Sequence, residues 1–197
     1  MITLFVGPMK SNKTSTLIDV ADCASNSKLN RRCIIFYPAC CEKKSGYVIS
    51  RDKGKRAKAV KVYDVNDLYN YIQDYDYIFI DEIQFLVSQN ELDNLMDFLE
   101  MCDKNNKEVY LFGLPLDYVN KPFDVIQRVM PYVDSVVYST SVCEECGSKA
   151  TRCVRYINGE LDLGDSYETL IMEGHDVYYK SLCRKCYREI TGLNAIK

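Results

Sequence analysis

Gly7-Pro8-Met9-Lys10-Ser11-Asn12-Lys13-Thr14 sets a lysine and a hydroxyl at the end of a loop that follows a short apolar run. Between a strand and a helix, such a loop wraps backbone N–H groups and the helix N-terminus around a phosphate, while the lysine neutralises β- and γ-phosphate charge and the hydroxyl binds Mg²⁺. Lys13 and Thr14 take those two roles, and Gly7 to Ser15 is the phosphate-binding stretch. The second glycine of the usual G-x-x-x-x-G-K-[ST] string is replaced by Asn12, a residue that tolerates positive φ better than most.

Asp81-Glu82 ends the run Tyr77-Ile-Phe-Ile80. At the carboxyl edge of a parallel sheet, where open α/β folds bind ligands, Asp81 would hold Mg²⁺ directly or through water. Glu82 would accept a proton from an attacking hydroxyl or water. A third group, Cys143-Glu-Glu-Cys146 with Cys183-Arg-Lys-Cys186, makes two Cys-x2-Cys knuckles whose four thiolates suit one tetrahedral Zn²⁺ with no open position, hence a structural metal. Cys23, Cys33, Cys40, Cys41, Cys102 and Cys153 remain as core or surface thiols.

These residues need strands and helices to hold them. Ile2–Val6 reads as a strand, Lys13–Ser27 as the helix after the phosphate loop, and Arg32–Tyr37 as a second buried strand stopped by Pro38. Cys41–Lys61, broken by Gly46 and Gly54 and rich in lysine, reads as a loop or hairpin. Val65–Gln73 has helical spacing, Tyr75–Ile80 is a strand, and Leu92, Leu95, Met96 and Leu99 form the stripe of an amphipathic helix ahead of a strand at Val109–Phe112. Strands alternating with helices predict a P-loop NTPase-like α/β fold, a parallel sheet flanked by helices. The alternation fades beyond Asp134, which predicts a kinase-like domain over residues 1–139 and a small zinc-ribbon-like lobe over 140–197.

Twenty-five Lys and Arg against 28 Asp and Glu leave a net charge of -3, a poor field for gripping nucleic-acid phosphates, so no nucleic-acid partner is expected. No segment is long and apolar enough to span a membrane, and Met1–Gly7 is too short for a signal peptide's apolar region. Ten cysteines without an export signal point to a reducing compartment, by default the cytoplasm.

In order and spacing, Gly7-Pro-Met-x-Ser-x-Lys-Thr, Phe-Ile-Asp81-Glu82-x-Gln84-Phe85, Gly113-Leu-x-x-x-Tyr118-x-x-Lys121-Pro-Phe123 and the two knuckles resemble the type II, cellular and poxviral, thymidine kinase family from about Leu4 to Tyr187. The resemblance implies transfer of the γ-phosphate of ATP to the 5′-hydroxyl of thymidine, with Glu82 as general base and Lys13, Thr14, Asp81 and Mg²⁺ serving the phosphates. It also implies a thymidine pocket at Met9, Phe85, Leu114, Tyr118, Phe123 and Tyr179, a lasso at Leu170-Ile171-Met172-Glu173-Gly174 whose backbone reads the base edge, and a homotetramer. Five features depart from the family pattern: Asn12, Cys41-Glu42-Lys43 in place of Asp-x-Arg, Ser50-Arg51-Asp52-Lys53-Gly54 in place of Ser-His-Asp-Gly with one residue added, Tyr118 in place of phenylalanine, and His175 in place of a lasso glycine. They keep two alternatives in play, a nucleotide- or partner-binding relative without turnover and a deoxynucleoside kinase of shifted specificity.

Overall fold

Strands β1 (Ile2–Val6), β2 (Cys33–Pro38), β3 (Tyr47–Ile49), β4 (Arg56–Lys58), β5 (Val60–Val62), β6 (Tyr77–Ile80), β7 (Glu108–Gly113) and β8 (Ser135–Tyr138) are interspersed with helices α1 (Lys13–Ser25) after β1, α2 (Asn66–Tyr69) after β5, α3 (Leu92–Lys104) after β6 and α4 (Asp124–Val129) after β7. The structure, a computed structural model, describes residues 1–26, 31–41, 46–50, 54–87, 91–164 and 176–192. Six of these strands form one sheet in the order β5-β2-β6-β7-β1-β8, with every neighbouring pair parallel. This is the α/β architecture expected from the alternation of elements.

The chain divides into two compact units. The first comprises Met1–Val6, Asn12–Gly113 and Asp124–Tyr138, and so contains the whole parallel sheet. Its core sets Leu17, Ile18 and Ala21 of α1 against Ile35, Tyr37, Phe79 and Phe112 of the sheet. Each such large apolar side chain gains about 1.5–3 kcal/mol by leaving water. Val48 and Ala59 join the same cluster, and within the stretch expected to be a loop or hairpin β3 and β4 pair antiparallel.

Two expectations for local structure change. Val65–Gln73 was expected to be a helix, but only Asn66–Tyr69 is α-helical. Leu68, Tyr71, Ile72 and Asp74 instead donate to the carbonyls three residues back, so the segment continues as tight turns. Val65, Leu68 and Ile72 are all buried at the helical spacing, so the pattern tracked burial correctly and mistook the hydrogen-bonding period. In α3 the buried face is Leu95, Phe98, Leu99 and Cys102, leaving Leu92 and Met96 half-buried at its margins.

The second unit comprises Gly7–Ser11, Leu114–Phe123 and Ser139–Lys197. Within it β9 (Ser141–Val142) pairs with β10 (Lys149–Ala150), and β11 (Arg152–Ile157) is the centre of an antiparallel three-stranded sheet with β12 (Glu160–Asp162) and β13 (Val177–Leu182). Helix α5 (Arg184–Thr191) follows β13 and ends at Gly192, whose φ of 66° is the left-handed conformation that closes a helix. A small core of Cys143, Ala150, Val154, Leu182, Cys186 and Tyr187 holds this unit together.

Candidate active site and cysteine cluster

In the first unit, β1 and β6 are separated by β7 and point the same way, so their last residues, Val6 and Ile80, reach one edge of the sheet two strand spacings, about 10 Å, apart. Lys13 opens α1 and is only 9% exposed. The residue ahead of it, Asn12, has φ 63° and ψ 15° and makes no side-chain cap, so it serves as a left-handed hinge where the motif ordinarily has glycine. The Asn12 carbonyl accepts from Thr16 N–H at 2.9 Å and from the Thr16 hydroxyl at 3.1 Å, and the buried hydroxyl of Ser15 has no partner among the described residues.

Asp81 is fully buried, and its carboxylate accepts from the Glu82 N–H at 3.1 Å. Glu82 itself adopts φ 53° and ψ 44°, a conformation that a glutamate rarely takes and that concentrates at functional sites. The following 3-10 turn, Ile83–Phe85, brings Gln84 back so that its amide donates to Glu82 Oε2 at 2.7 Å, fixing the carboxylate's direction. Cys40, past the end of β2, places its Sγ 3.5 Å from the Phe85 carbonyl oxygen. A hydrogen bond from the Cys41 thiol lowers the Cys40 thiol to about 7 against the opposing effect of burial.

In the second unit, Gly7–Ser11 is folded tightly on itself. The Ser11 hydroxyl donates to the Pro8 carbonyl at 2.8 Å, and Lys10 has φ 60°. A Cβ on Gly7 would lie 2.6 Å from both Ser11 Oγ and the Ser139 carbonyl oxygen, so only glycine fits. Left-handed residues at Lys10 and Asn12 turn the backbone repeatedly, the kind of curvature that makes anion-binding concavities from N–H groups. These features fit a phosphate-binding loop.

Tyr118, 5% exposed, is held by groups that the sequence did not single out. The Arg155 guanidinium lies 3.9 Å from the centre of its ring and donates to its hydroxyl at 2.7 Å, and that hydroxyl donates to the Gly164 carbonyl at 3.2 Å. Arg155 also donates from Nε to Asp162 at 2.6 Å, and Asp162 accepts from the Gly164 N–H at 2.8 Å. Arg155 and Asp162 face each other across β11 and β12, which are joined by an Asn158-Gly159 turn with φ 52° and 85°. That dipeptide is the sequence signal that could have paired the two residues. Tyr179 sits opposite Arg155 on β13; burial raises its hydroxyl's pKa, and the arginine opposes the rise. Leu114 and Phe123 bracket the loop, which is closed by Asp117, whose carboxylate accepts from the N–H groups of Val119 at 3.0 Å and Lys121 at 2.7 Å. The expected lasso, Leu170–Gly174, with His175, lies outside the described residues.

The four knuckle cysteines are brought together as expected: the Sγ atoms of Cys143, Cys146, Cys183 and Cys186 all lie within 4.8 Å of one another. Cys146 and Cys183 are 3.7 Å apart, far beyond a disulfide bond and close to the roughly 3.8 Å edge of a tetrahedron with Zn–S arms of about 2.3 Å. Hydrogen bonds from Ser148 lower Cys146 to about 6, whereas hydrogen bonding with Cys146 and Cys183 pushes the Cys186 thiol up. The donor set fits zinc.

A six-stranded parallel sheet flanked by helices, in a chain that also carries a four-cysteine cluster, defines the class, an α/β protein whose sheet edge is of the kind that binds ligands. The sequence model of the thymidine kinase family matches residues 1–187, and the chain belongs to that family. The thymidine kinase of Aster yellows witches'-broom phytoplasma (strain AYWB) is 30% identical over 187 residues, 93% of this chain and 85% of the relative. That of Onion yellows phytoplasma (strain OY-M) gives the same values. The thymidine kinase of Pyrobaculum aerophilum is 31% identical over 191 residues, 95% of this chain and 98% of the relative.

Proposed function

We propose that this protein transfers the γ-phosphate of ATP to the 5′-hydroxyl of thymidine, giving dTMP and ADP. Membership of the thymidine kinase family supports the reaction. The observation that carries the chemistry is the acid pair at the end of β6: Asp81 is wholly buried, and Glu82 is held in a left-handed conformation with its carboxylate oriented by Gln84. An orienting bond of this kind prepares a carboxylate to act as a base without prior rearrangement.

Glu82 takes the proton of the 5′-hydroxyl as that oxygen attacks the γ-phosphorus, and the bond to the β-phosphate oxygen breaks. Phosphoryl transfer of this kind depends chiefly on positioning and on charge stabilisation. Lys13 supplies positive charge beside the β- and γ-phosphates, and the backbone of Gly7–Ser15 holds them, including Pro8, Met9, Lys10, Ser11 and Asn12. Mg²⁺, when bound, neutralises phosphate charge; Thr14 and Asp81 would hold it. Met9, Phe85, Leu114, Tyr118, Phe123 and Tyr179 receive the nucleoside, with Leu170–Gly174 reading the base edge. In Tyr118, the hydroxyl that phenylalanine would lack is engaged by Arg155 and Gly164, and the Arg155 guanidinium already covers one face of the ring.

On this reading, residues 1–139 carry phosphoryl transfer and residues 140–197 the structural zinc and the base-reading segment. The protein works in the cytoplasm as a homotetramer. No helix among the described residues is long and apolar enough to cross a membrane, and the edge strand β8 exposes Val136, Val137 and Tyr138, a surface suited to association. The test is a panel of thymidine, deoxyuridine and deoxycytidine with ATP, Mg²⁺ and zinc-loaded protein. Thymidine should be converted with the highest kcat/KM; a higher value for deoxycytidine would replace this reading with a kinase of different specificity.

A further inference from the structure

The two cysteine knuckles are joined to the tip of the phosphate loop by residues to which neither the chemistry above nor the metal assigns a task. Glu144 directly follows the first thiol of its knuckle, and Ser181 stands two residues before the first thiol of the other. The two are bonded twice: the Glu144 N–H donates to the Ser181 carbonyl at 2.9 Å, and the Ser181 N–H donates to Glu144 Oε1 at 2.6 Å. Each then reaches the loop. The Ser181 hydroxyl donates to the Met9 carbonyl at 2.9 Å, and both Glu144 carboxylate oxygens accept from Lys10 Nζ at 2.9 Å. A fourth bond runs from the Ser141 hydroxyl to the Lys10 carbonyl at 3.1 Å. All of these groups belong to the second compact unit.

We propose that Ser181 and Glu144 are positioning residues for ATP, through which the four-thiol metal cluster holds Met9 and Lys10 of the phosphate loop in their binding conformation. This rests on the reading of Gly7–Thr14 as the ATP loop. Lys10 keeps φ at 60°, and both of the loop carbonyls involved, those of Met9 and Lys10, are held by hydroxyls from outside the loop. A left-handed lysine persists only where its surroundings over-determine it. The two links differ in strength. The Lys10–Glu144 pair is largely in solvent, with side-chain exposures of 47% and 35%, so it contributes little by itself. Ser181 is wholly buried, so its removal strands the Met9 carbonyl without the donor that faces it. The metal therefore supports nucleotide binding from a distance: the bond between Glu144 and Ser181 forms only while both knuckles keep their relative placement, and the four thiolates around one ion set that placement.

The experiment compares full-length zinc-loaded wild type with Ser181→Ala, Ser181→Thr and Glu144→Gln. It reads zinc content, amide hydrogen exchange of a peptide spanning Gly7–Ser11, the ATP dissociation constant, and KM for each substrate. In Ser181→Ala, with one zinc retained, exchange of the loop amides should accelerate, ATP affinity and KM for ATP should worsen about three- to tenfold, and KM for thymidine should rise by less, through Met9 alone. Ser181→Thr, which restores a hydroxyl, should recover most of the loss, and Glu144→Gln should show a smaller loss of the same kind. Removing the zinc from wild type should accelerate exchange in the same peptide. Unchanged loop exchange and ATP affinity in Ser181→Ala, or a thymidine affinity that falls by as large a factor as that for ATP, would overturn the proposal. A wild type that binds no ATP would overturn the function proposed above, and loop exchange would still decide whether knuckle and loop are coupled.

Discussion

Glu82 and Asn12 both occupy left-handed backbone conformations, and one is the proposed base while the other precedes the phosphate lysine. The sequence made both residues visible as chemistry, through Lys13-Thr14 after a strand and an acid pair after another. It could not show that Gln84 turns back onto Glu82, because that bond depends on a tight turn that leaves no mark on hydrophobic periodicity. Arg155 and Asp162 escaped for a related reason: they become neighbours only through strand pairing and a Tyr118 ring that arrives from another part of the chain. Among the thiols, Cys40 and Cys102 separate sharply, at about 7 through the Cys41 hydrogen bond and about 12 through burial. Because the thiolate is the reactive form, alkylation of Cys40 by iodoacetamide should rise through pH 6 to 8 and then level off, with Cys102 unlabelled in the folded protein. A Cys40 rate still climbing steeply near pH 9, followed by mass spectrometry of its peptide, would contradict that local arrangement.

At the scale of elements, the parallel sheet was legible because each buried strand is a short apolar run and each is followed by helix-compatible or turn-rich sequence. The error at Val65–Gln73 has a physical basis: burial at Val65, Leu68 and Ile72 satisfies an α-helix and a succession of i→i−3 turns alike. Strand β5, which adds an edge to the sheet beside β2, is three residues long with only Val62 fully buried, too little pattern to stand out. The end of β7 is more exacting. A Cβ at Gly113 would come within 2.9 Å of Gln84 Oε1, Ile83 Cγ2 and Ile126 Cδ1, so β7, the 3-10 turn and α4 converge on the space that glycine leaves. Gly113→Ala should therefore destabilise the fold by about 1–3 kcal/mol through overpacking. It should also lower kcat more than a remote substitution of equal stability cost, since Gln84 must move and Gln84 orients Glu82. Urea denaturation alongside steady-state kinetics measures both; an unchanged midpoint would mean the crowding is relieved without strain.

Over the whole molecule, the two Cys-x2-Cys pairs announced a metal lobe, and the four thiols do converge. What the sequence could not indicate is that the compact unit holding them also takes in Gly7–Ser11 and Leu114–Phe123, segments distant in the chain that join it through tertiary hydrogen bonds from Ser181 and Tyr187. Among the described residues, the buried core cluster of that unit is six residues, two of them knuckle cysteines, so a metal bound there would supply much of its folding free energy. Chelation of zinc should lower the thermal midpoint by at least about 10 °C, read by calorimetry, with recovery on adding zinc back; a midpoint insensitive to chelation would remove the metal from the account. The central claim is that this chain transfers phosphate to thymidine through Lys13 and Glu82. Its most direct test is the rate of dTMP formation from ATP and thymidine by zinc-loaded wild type, Lys13→Ala and Glu82→Gln. Turnover in wild type, reduced at least about a hundredfold in each variant with zinc and fold retained, is the predicted result. Wild type that binds ATP and thymidine without forming dTMP, or a Glu82→Gln variant as fast as wild type, would contradict it.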